Sequence, residues 1–510
     1  MSAADPSGGA DEPLESPVAD GAGGTAAPES VGRRAARGFA SMTVVQLVRF
    51  VVLTGSMVVM SRLLTPREFG LVAMVTAVIG IADMFRDMGL STVTIQAKEL
   101  SRAQRDNLWW VNASIGALLS CAIALASPLI AWAYGVAALL PIALVMSPIF
   151  LVNGMTTQYQ ANLQRELRFT SMARISIGSQ VISALVGIVS AYFGAGYWAI
   201  VAQNLTGALL GLVMTATAAG WIPGRYVRGS GTWGHVKTGW QYFASAILFY
   251  VESNVDSVVI GRVFGAESLG GYNRAVQLVR VPLNMISGAA GSVLVPAMAR
   301  VQDSDEKLRR ALRLQFIATG YPILAVVLVV VTVPDSLLSL AFGSQWLHLG
   351  AILSWVAVGA GVSRLISGVA GGLTARGLAK DLARLSLLNA LVAVAIAIVG
   401  SVFGVVVIAA AIAVYIAVSW PLGLVILHRR TGIAIRDVLG AGLRLETAGV
   451  VGGICGTALF PLLPGMPAWA DVLVAGMGAS AFVGALSMVP GYRRDFREGL
   501  GLVEHFRSRR

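Results

Sequence analysis

LSLLNALVAVAIAIVGSVFGVVVIAAAIAVYIAVSWPLGLVIL, Leu385–Leu427, contains no acidic or basic side chain, and Arg376, Lys380 and Arg384 precede it while Arg429 and Arg430 follow. A helix needs roughly 20 apolar residues to cross a bilayer. The run therefore holds two crossings, 382–402 and 404–427, with both basic flanks on the same side of the membrane. Reading outward by the same rule adds spans at 39–61, 68–88, 107–133, 136–159, 174–193, 197–218, 239–262, 269–298, 312–333, 346–372, 446–463 and 468–489. The expected fold is an all-α integral membrane protein of about 14 transmembrane helices.

Composition agrees with that reading. Of 510 residues, 56% are hydrophobic and 13% charged, and the mean hydropathy is +0.74. A soluble domain carries about 25% charged residues. The net charge of +12 would suggest a nucleic-acid partner were it clustered, but it is spread over short connections between spans, which excludes nucleic acid as the expected partner. Cys121 and Cys455 fall in apolar stretches without metal-ligand spacing, so they read as small core residues. Residues 1–37 are rich in Ala, Gly, Pro, Ser and acids, and read as a disordered tail. Acids precede its only arginines (Arg33, Arg34 and Arg37), which is not the pattern of a signal peptide.

The basic residues alternate along the chain. One set of connections holds Lys98/Arg102/Arg105, Arg165/Arg168/Arg174, Arg225/Arg228/Lys237, Arg300 to Arg313, Arg376/Lys380/Arg384, Arg429/Arg430/Arg436/Arg444 and the tail from Arg493. About 30 of the 38 Lys and Arg residues lie on that side, against about three (Arg62, Arg67, Arg262) opposite. The positive-inside rule makes the rich side cytoplasmic. An even number of spans with both termini inside follows, and the connections opposite are short.

Charges inside the spans call for a second explanation. Arg49, Arg86, Arg274, Arg280 and Arg364 share the apolar windows with Asp83, Asp87, Glu252 and Asp256. A charge at mid-membrane costs about 2.5–3.5 kcal/mol on insertion scales, so each implies a partner or a wet cavity.

The ends of the first and seventh spans echo each other. Arg62-Leu63-Leu64-Thr65-Pro66-Arg67-Glu68-Phe69-Gly70 stands beside Arg262-Val263-Phe264-Gly265-Ala266-Glu267-Ser268-Leu269-Gly270. Both run from Arg through an acid to a Gly eight positions on. An offset of six spans implies two six-helix lobes in the same orientation, with a substrate site between them. The expected organisation is a tail at 1–37, lobes at 38–237 and 238–430, two extra helices at 431–492, and a basic tail at 493–510.

SRLLTPREFGLVAM (61–74), FRDMGLSTVTIQ (85–96), RELRF (165–169), GAGYWAIV (194–201) and the run from NVDSVVIGRVFGAESLGGYNRA (254–275) to VPAMARVQ (295–302) together resemble bacterial polysaccharide-export flippases of the Wzx type. These belong to the multidrug/oligosaccharidyl-lipid/polysaccharide (MOP) exporter superfamily, and the resemblance covers about residues 38–430. It implies movement of undecaprenyl-pyrophosphate-linked oligosaccharide from the cytoplasmic to the outer leaflet of the bacterial plasma (inner) membrane by alternating access. It also implies a central cavity with basic residues facing the anionic cargo, membrane lipids as surroundings, and a polysaccharide polymerase or glycosyltransferase as candidate partner.

Four arginines are the cavity candidates: Arg49, Arg280, Arg274 and Arg364. A guanidinium stays protonated and offers forked donors that match phosphate oxygens. Arg49 sits midway along the first span, where the resemblance places a cavity arginine; an ion pair with Glu252 or Asp256 is its alternative role. Arg280 lies deeper in its span than Arg274, which is near enough to the outer end to snorkel, and Arg364 is open to either role. Glu252 and Asp256, one turn apart on the same helix face, are candidates for a coupling ion or for ion pairs with those arginines. Asp83, Arg86 and Asp87 read as local anchors at a helix end, and Trp109, Trp110, Tyr197, Trp198, Trp233 and Trp240 as interfacial aromatics.

A multidrug or other ion-coupled exporter on the same fold is the rival reading; it predicts a cavity rich in acids and aromatics, whereas deep arginines here outnumber deep acids. An enzyme is not expected. The four histidines are scattered through loops, no phosphate-binding glycine loop occurs, and neither cofactor, metal site nor catalytic residue is predicted.

Overall fold

The computed structural model describes residues 48–507 apart from short breaks at 88–89, 97–99, 167, 229–231, 301–303, 377 and 464; along parts of some helices, including 232–253 and 289–300, only the backbone is described. The tail at 1–37 lies outside the described residues. No strand occurs among the described residues. The helices are α1 (48–63), α2 (Pro66–Asp87), α3 (Leu90–Gln96), α4 (Arg102–Tyr134), α5 (Leu139–Met146), α6 (Ile149–Arg165), α7 (Phe169–Tyr192), α8 (Trp198–Ala219) and α9 (Thr232–Arg300). They continue with α10 (Asp305–Thr332), α11 (Pro334–Ala341), α12 (Gly350–Ala375), α13 (Ala379–Gly400), α14 (Val405–Thr431), α15 (Arg436–Leu459), α16 (Ala468–Leu486) and α17 (Pro490–Arg507). The chain is a multi-pass membrane protein.

Ten helical segments among the described residues are long and apolar enough to span a bilayer. The other four expected spans fall on α1, α2 and the two arms of α9, parts of which lie outside the described residues. Helix ends follow from local chemistry. Ser101 and Gln104 form a reciprocal cap at the start of α4, at 3.2 and 3.0 Å, satisfying donors that a helix leaves unpaired. Gly135 closes the same helix with φ 69°, a conformation open to glycine at no steric cost. Gly265, at φ 82° and ψ −178°, breaks α9 into two arms without an intervening loop.

α2 lies along α9, α7 along α8, α4 along α6, and α12 along α14. The two repeated segments meet face to face. A Cβ on Gly70 would lie 1.6 Å from the carbonyl oxygen of Ala266, and one on Gly270 would lie 1.9 Å from that of Pro66. Positions 66 and 266, and 70 and 270, thus exchange contacts reciprocally, as an isologous interface does. Only a glycine permits so close an approach of two backbones. Next to it, the Trp346 indole and the Gln345 amide both donate to the Ser61 carbonyl at 3.0 Å, and Arg62 donates to the Leu340 carbonyl at 2.5 Å.

The C-terminal end departs from the simple tail expected at 493–510. Residues 490–507 form α17, whose inner face is docked against α10 and α15. Asp495, fully buried, accepts from Arg313 at 2.7 Å, from Arg444 at 2.8 Å through both Nε and Nη2, and from Tyr321 at 3.1 Å. Burial raises the Asp495 pKa, but the bonds from Arg444 and Arg313, the Arg444 charge and the Tyr321 bond outweigh it and hold the carboxyl below its ordinary value. Partners 51 to 182 residues away are invisible to a reading of local charge.

Candidate functional site

α1, α2, α7, α8 and both arms of α9 enclose a cavity of about 660 Å³. Met60 and Phe69, each near the Gly70–Gly270 contact in sequence, are part of its wall. Six amides face the cavity: Gln180, Gln203, Asn204, Asn254, Asn273 and Gln277. Hydroxyls of Ser56, Thr76, Ser183 and Ser257 join them, with Met57, Val72 and Ile200 between. The charged side chains in the lining are Arg274 and Arg280, and no acid lines it among the described residues.

Arg274 projects from the second arm of α9 with its guanidinium 4.0 Å above the Phe69 ring of α2. A cation over an aromatic face is attracted by the ring quadrupole, and here it bridges the two repeated segments. Its Nε is buried without a hydrogen-bond partner. Arg274, one of the four cavity candidates, thus lies in the cavity wall beside the Phe69 ring. Arg280, further along the same arm, is exposed within the cavity lining.

Asp256 lies near Arg280. Its carboxylate accepts from the Tyr272 hydroxyl and, at 2.7 Å, from the Ser257 amide, and it is within electrostatic reach of Arg280. The Ser257 hydroxyl donates to Asn273 at 3.3 Å, linking the acid to the amide belt. The Glu252 side chain lies outside the described residues. Arg364, on α12, donates to Asn284 of α9 at 3.0 Å and also senses the charge of Arg280, but it does not line the cavity. Arg49 is exposed; it sits one turn before Val52 and Leu53, the first lining residues of α1, on the same helical face.

Away from the cavity, Arg86 donates to the Asn153 carbonyl at 3.1 Å and to the Thr157 hydroxyl, while Asn112 donates to the Arg86 carbonyl at 2.9 Å. It thus joins the end of α2 to α4 and α6. The side chains of Asp83, Asp87, Trp233 and Trp240 lie outside the described residues. Trp109 is buried against Tyr159 and Trp221, so the interfacial role expected for it does not hold. Cys121 and Cys455 are exposed, not core. A lipid-facing surface is as apolar as a protein interior, so hydropathy cannot separate the two.

The amides were missed by sequence reasoning, which followed charge. Their signal was present: a Gln or Asn within an apolar span needs a partner or a wet cavity just as a charge does.

An all-helical bundle with a polar cavity between its helices is the architecture of this multi-pass membrane protein. The chain belongs to the polysaccharide biosynthesis protein family, whose model matches residues 59–351. It is 27% identical over 323 residues to the lipopolysaccharide biosynthesis protein WzxC of Escherichia coli (strain K12), covering 62% of this chain and 65% of that one. It is 29% identical over 330 residues to the teichuronic acid biosynthesis protein TuaB of Bacillus subtilis (strain 168), covering 64% and 66%. To the succinoglycan biosynthesis transport protein ExoT of Rhizobium meliloti (strain 1021) it is 23% identical over 307 residues, covering 60% and 62%. The chain spans just under two thirds of the length of these curated relatives.

Among solved structures it superposes on the lipid II flippase MurJ in an inward closed conformation with a TM-score of 0.68 at 12% identity, covering 87% of this chain and 98% of that one. A MATE structure in the bent conformation gives a TM-score of 0.50 at 16% identity, with 81% and 96% covered. At such identities the likeness shows the fold.

Proposed function

We propose that this protein flips an undecaprenyl-pyrophosphate-linked oligosaccharide from the cytoplasmic to the outer leaflet of a bacterial plasma membrane, for export of capsule, exopolysaccharide or O-antigen. The observation that carries the proposal is the cavity lining: two guanidiniums, six amides and no acid among the described residues. Arg280 and Arg274 take the pyrophosphate, for which a forked cation is the matching donor. The amides exchange hydrogen bonds with sugar hydroxyls, and the polyprenyl tail stays in lipid. Arg49, one turn beyond the lining of α1, meets the cargo at the cavity entrance. Asp256 holds the Arg280 region in place through Tyr272 and Ser257. A cationic drug would meet like charge here, which favours lipid-linked sugar over multidrug export.

In this reading the chain has 14 spans with both termini cytoplasmic, and its twelve-helix core forms lobes at 38–237 and 238–430. The reciprocal contact of Gly70 and Gly270 supports that symmetry. Alternating access then consists of breaking this contact at one end of the cavity while closing the other. No bond is made or broken in the cargo.

Binding tests the assignment. Purified protein in detergent is titrated with undecaprenyl-pyrophosphate oligosaccharide, and Arg280→Gln is compared with the parent. A charged hydrogen bond is worth about 1.5–3 kcal/mol, so affinity falls about ten- to 150-fold. Equal affinity in the variant removes Arg280 from the site.

A further inference from the structure

α16 ends at Leu486, and three turn residues later α17 begins at Pro490. Consecutive hydrogen bonds, Ser487 to Gly484, Met488 to Ala485 and Val489 to Leu486, each 3.0 Å, keep that junction tight. α17 therefore starts at the depth where a membrane-spanning helix leaves the bilayer. Its two faces differ. Tyr492, Asp495 and Phe496 turn inward, with the Phe496 ring 4.6 Å from that of Tyr321. Arg493, Arg494 and Arg497 turn outward and are exposed.

These arginines border a groove of about 360 Å³, completed by Met488, Pro490 and Glu498. Met488 is 83% exposed and Val489 48%, so the groove has an apolar lip at the α16 end and a basic wall along α17. Glu498 pairs with Arg494 at 3.2 Å and with Arg313 at 3.2 Å, so the net positive charge of the wall comes from Arg493 and Arg497. Arg493 and Arg497 are one helical turn apart on one face and form no ion pair among the described residues.

We propose that this groove binds the headgroup of an anionic phospholipid of the adjoining leaflet. The phosphate lies between Arg493 and Arg497, and the acyl chains run past Met488 and Val489 along α16. The wall is cationic where headgroups sit and apolar where chains begin, the order in which a lipid presents them. The Asp495 cluster fixes α17 against α10 and α15, which presents the arginines outward at constant depth. This site is separate from the cargo cavity, shares no residue with it, and does not depend on the identity of the cargo.

The test uses the full-length protein in nanodiscs of phosphatidylcholine with a minor share of spin-labelled phosphatidylglycerol, and reads the fraction of label immobilised by protein. The expected result is preference for phosphatidylglycerol over spin-labelled phosphatidylcholine, reduced about thirtyfold in affinity by Arg493→Gln/Arg497→Gln, the effect of two arginines at an anionic surface. Arg225→Gln/Arg228→Gln, an exposed basic pair elsewhere, should leave the preference intact. Three results would overturn the proposal: no preference in the parent, an equal loss in the Arg225/Arg228 control, or displacement of phosphatidylglycerol by equimolar undecaprenyl pyrophosphate. The last would make the groove a cargo site. The monodispersity of each variant is checked first, and Arg493→Lys/Arg497→Lys, which keeps the charge, should restore most of the binding.

Discussion

Adding one methyl group to Gly270 should shift this protein away from the state closed at the Gly70–Gly270 end. An ideal Cβ there lies 1.9 Å from the Pro66 carbonyl oxygen, and at Gly70 it lies 1.6 Å from that of Ala266. A relaxed carbon–oxygen contact is about 3.3 Å, so the segments must part by about 1.4 Å for Gly270→Ala and about 1.7 Å for Gly70→Ala. The clash is with backbone, which no rotamer change relieves. Overpacking of this kind costs about 1–3 kcal/mol, which moves a two-state ratio about five- to 150-fold. The bonds from Trp346 and Gln345 to Ser61 lie beside the contact and lengthen with it. Spin labels at Leu63→Cys and Val263→Cys, both exposed positions, report the separation by double electron–electron resonance. Cys121 and Cys455 are replaced by serine beforehand because both are exposed. The short-distance population should shrink in each alanine variant and shrink most in the double variant, with transport falling in step. A parent-like distance distribution in Gly70→Ala/Gly270→Ala would show that this contact is not what closes the cavity.

Other predictions follow from the polar clusters. Asp495→Asn leaves Arg313 and Arg444 without their shared carboxylate, and breaking a buried pair costs about 3–5 kcal/mol; thermal unfolding at neutral pH should occur at a clearly lower temperature, and an unchanged midpoint would refute the role. Because the folded Asp495 pKa is lowered, its contribution is complete above the unfolded value of about 3.9 and fades as pH falls through the lower, folded value. A parent protein whose unfolding temperature loses this contribution already near pH 6 contradicts that sign. Arg86→Ala removes charged hydrogen bonds to α6, each worth about 1.5–3 kcal/mol, so membrane abundance drops while transport per molecule is retained; quantitative immunoblotting beside a transport assay separates the two. Arg49→Ala should slow cargo entry and weaken cargo binding less than Arg280→Gln does, which titration of both variants compares.

Much of the architecture was legible because a bilayer imposes length and composition on every crossing. Leu385–Leu427 reads as two spans and folds as α13 and α14, and the repeated Arg-to-Gly segments come to lie against each other. What hydropathy could not convey is direction around each helix. Cys121, Cys455 and Trp109 all sit in apolar windows, yet the cysteines are exposed and the tryptophan is buried. Within the cavity, charge pointed to Arg274 and Arg280, whereas the amides that form most of its polar wall drew no notice, being uncharged and dispersed over three helices. The docking of α17 was beyond reach because Asp495 meets its partners only once α10 and α15 are folded together.

The central claim is that lipid-linked sugar crosses the membrane through the cavity bearing Arg280. Purified protein in proteoliposomes, loaded with fluorescent undecaprenyl-pyrophosphate oligosaccharide and probed from the outer leaflet, measures that crossing directly. Transbilayer movement in the parent and its loss in Arg280→Ala, with Arg225→Ala unaffected, is the predicted result. Movement that persists in Arg280→Ala, or none in the parent with or without an ion gradient, contradicts it.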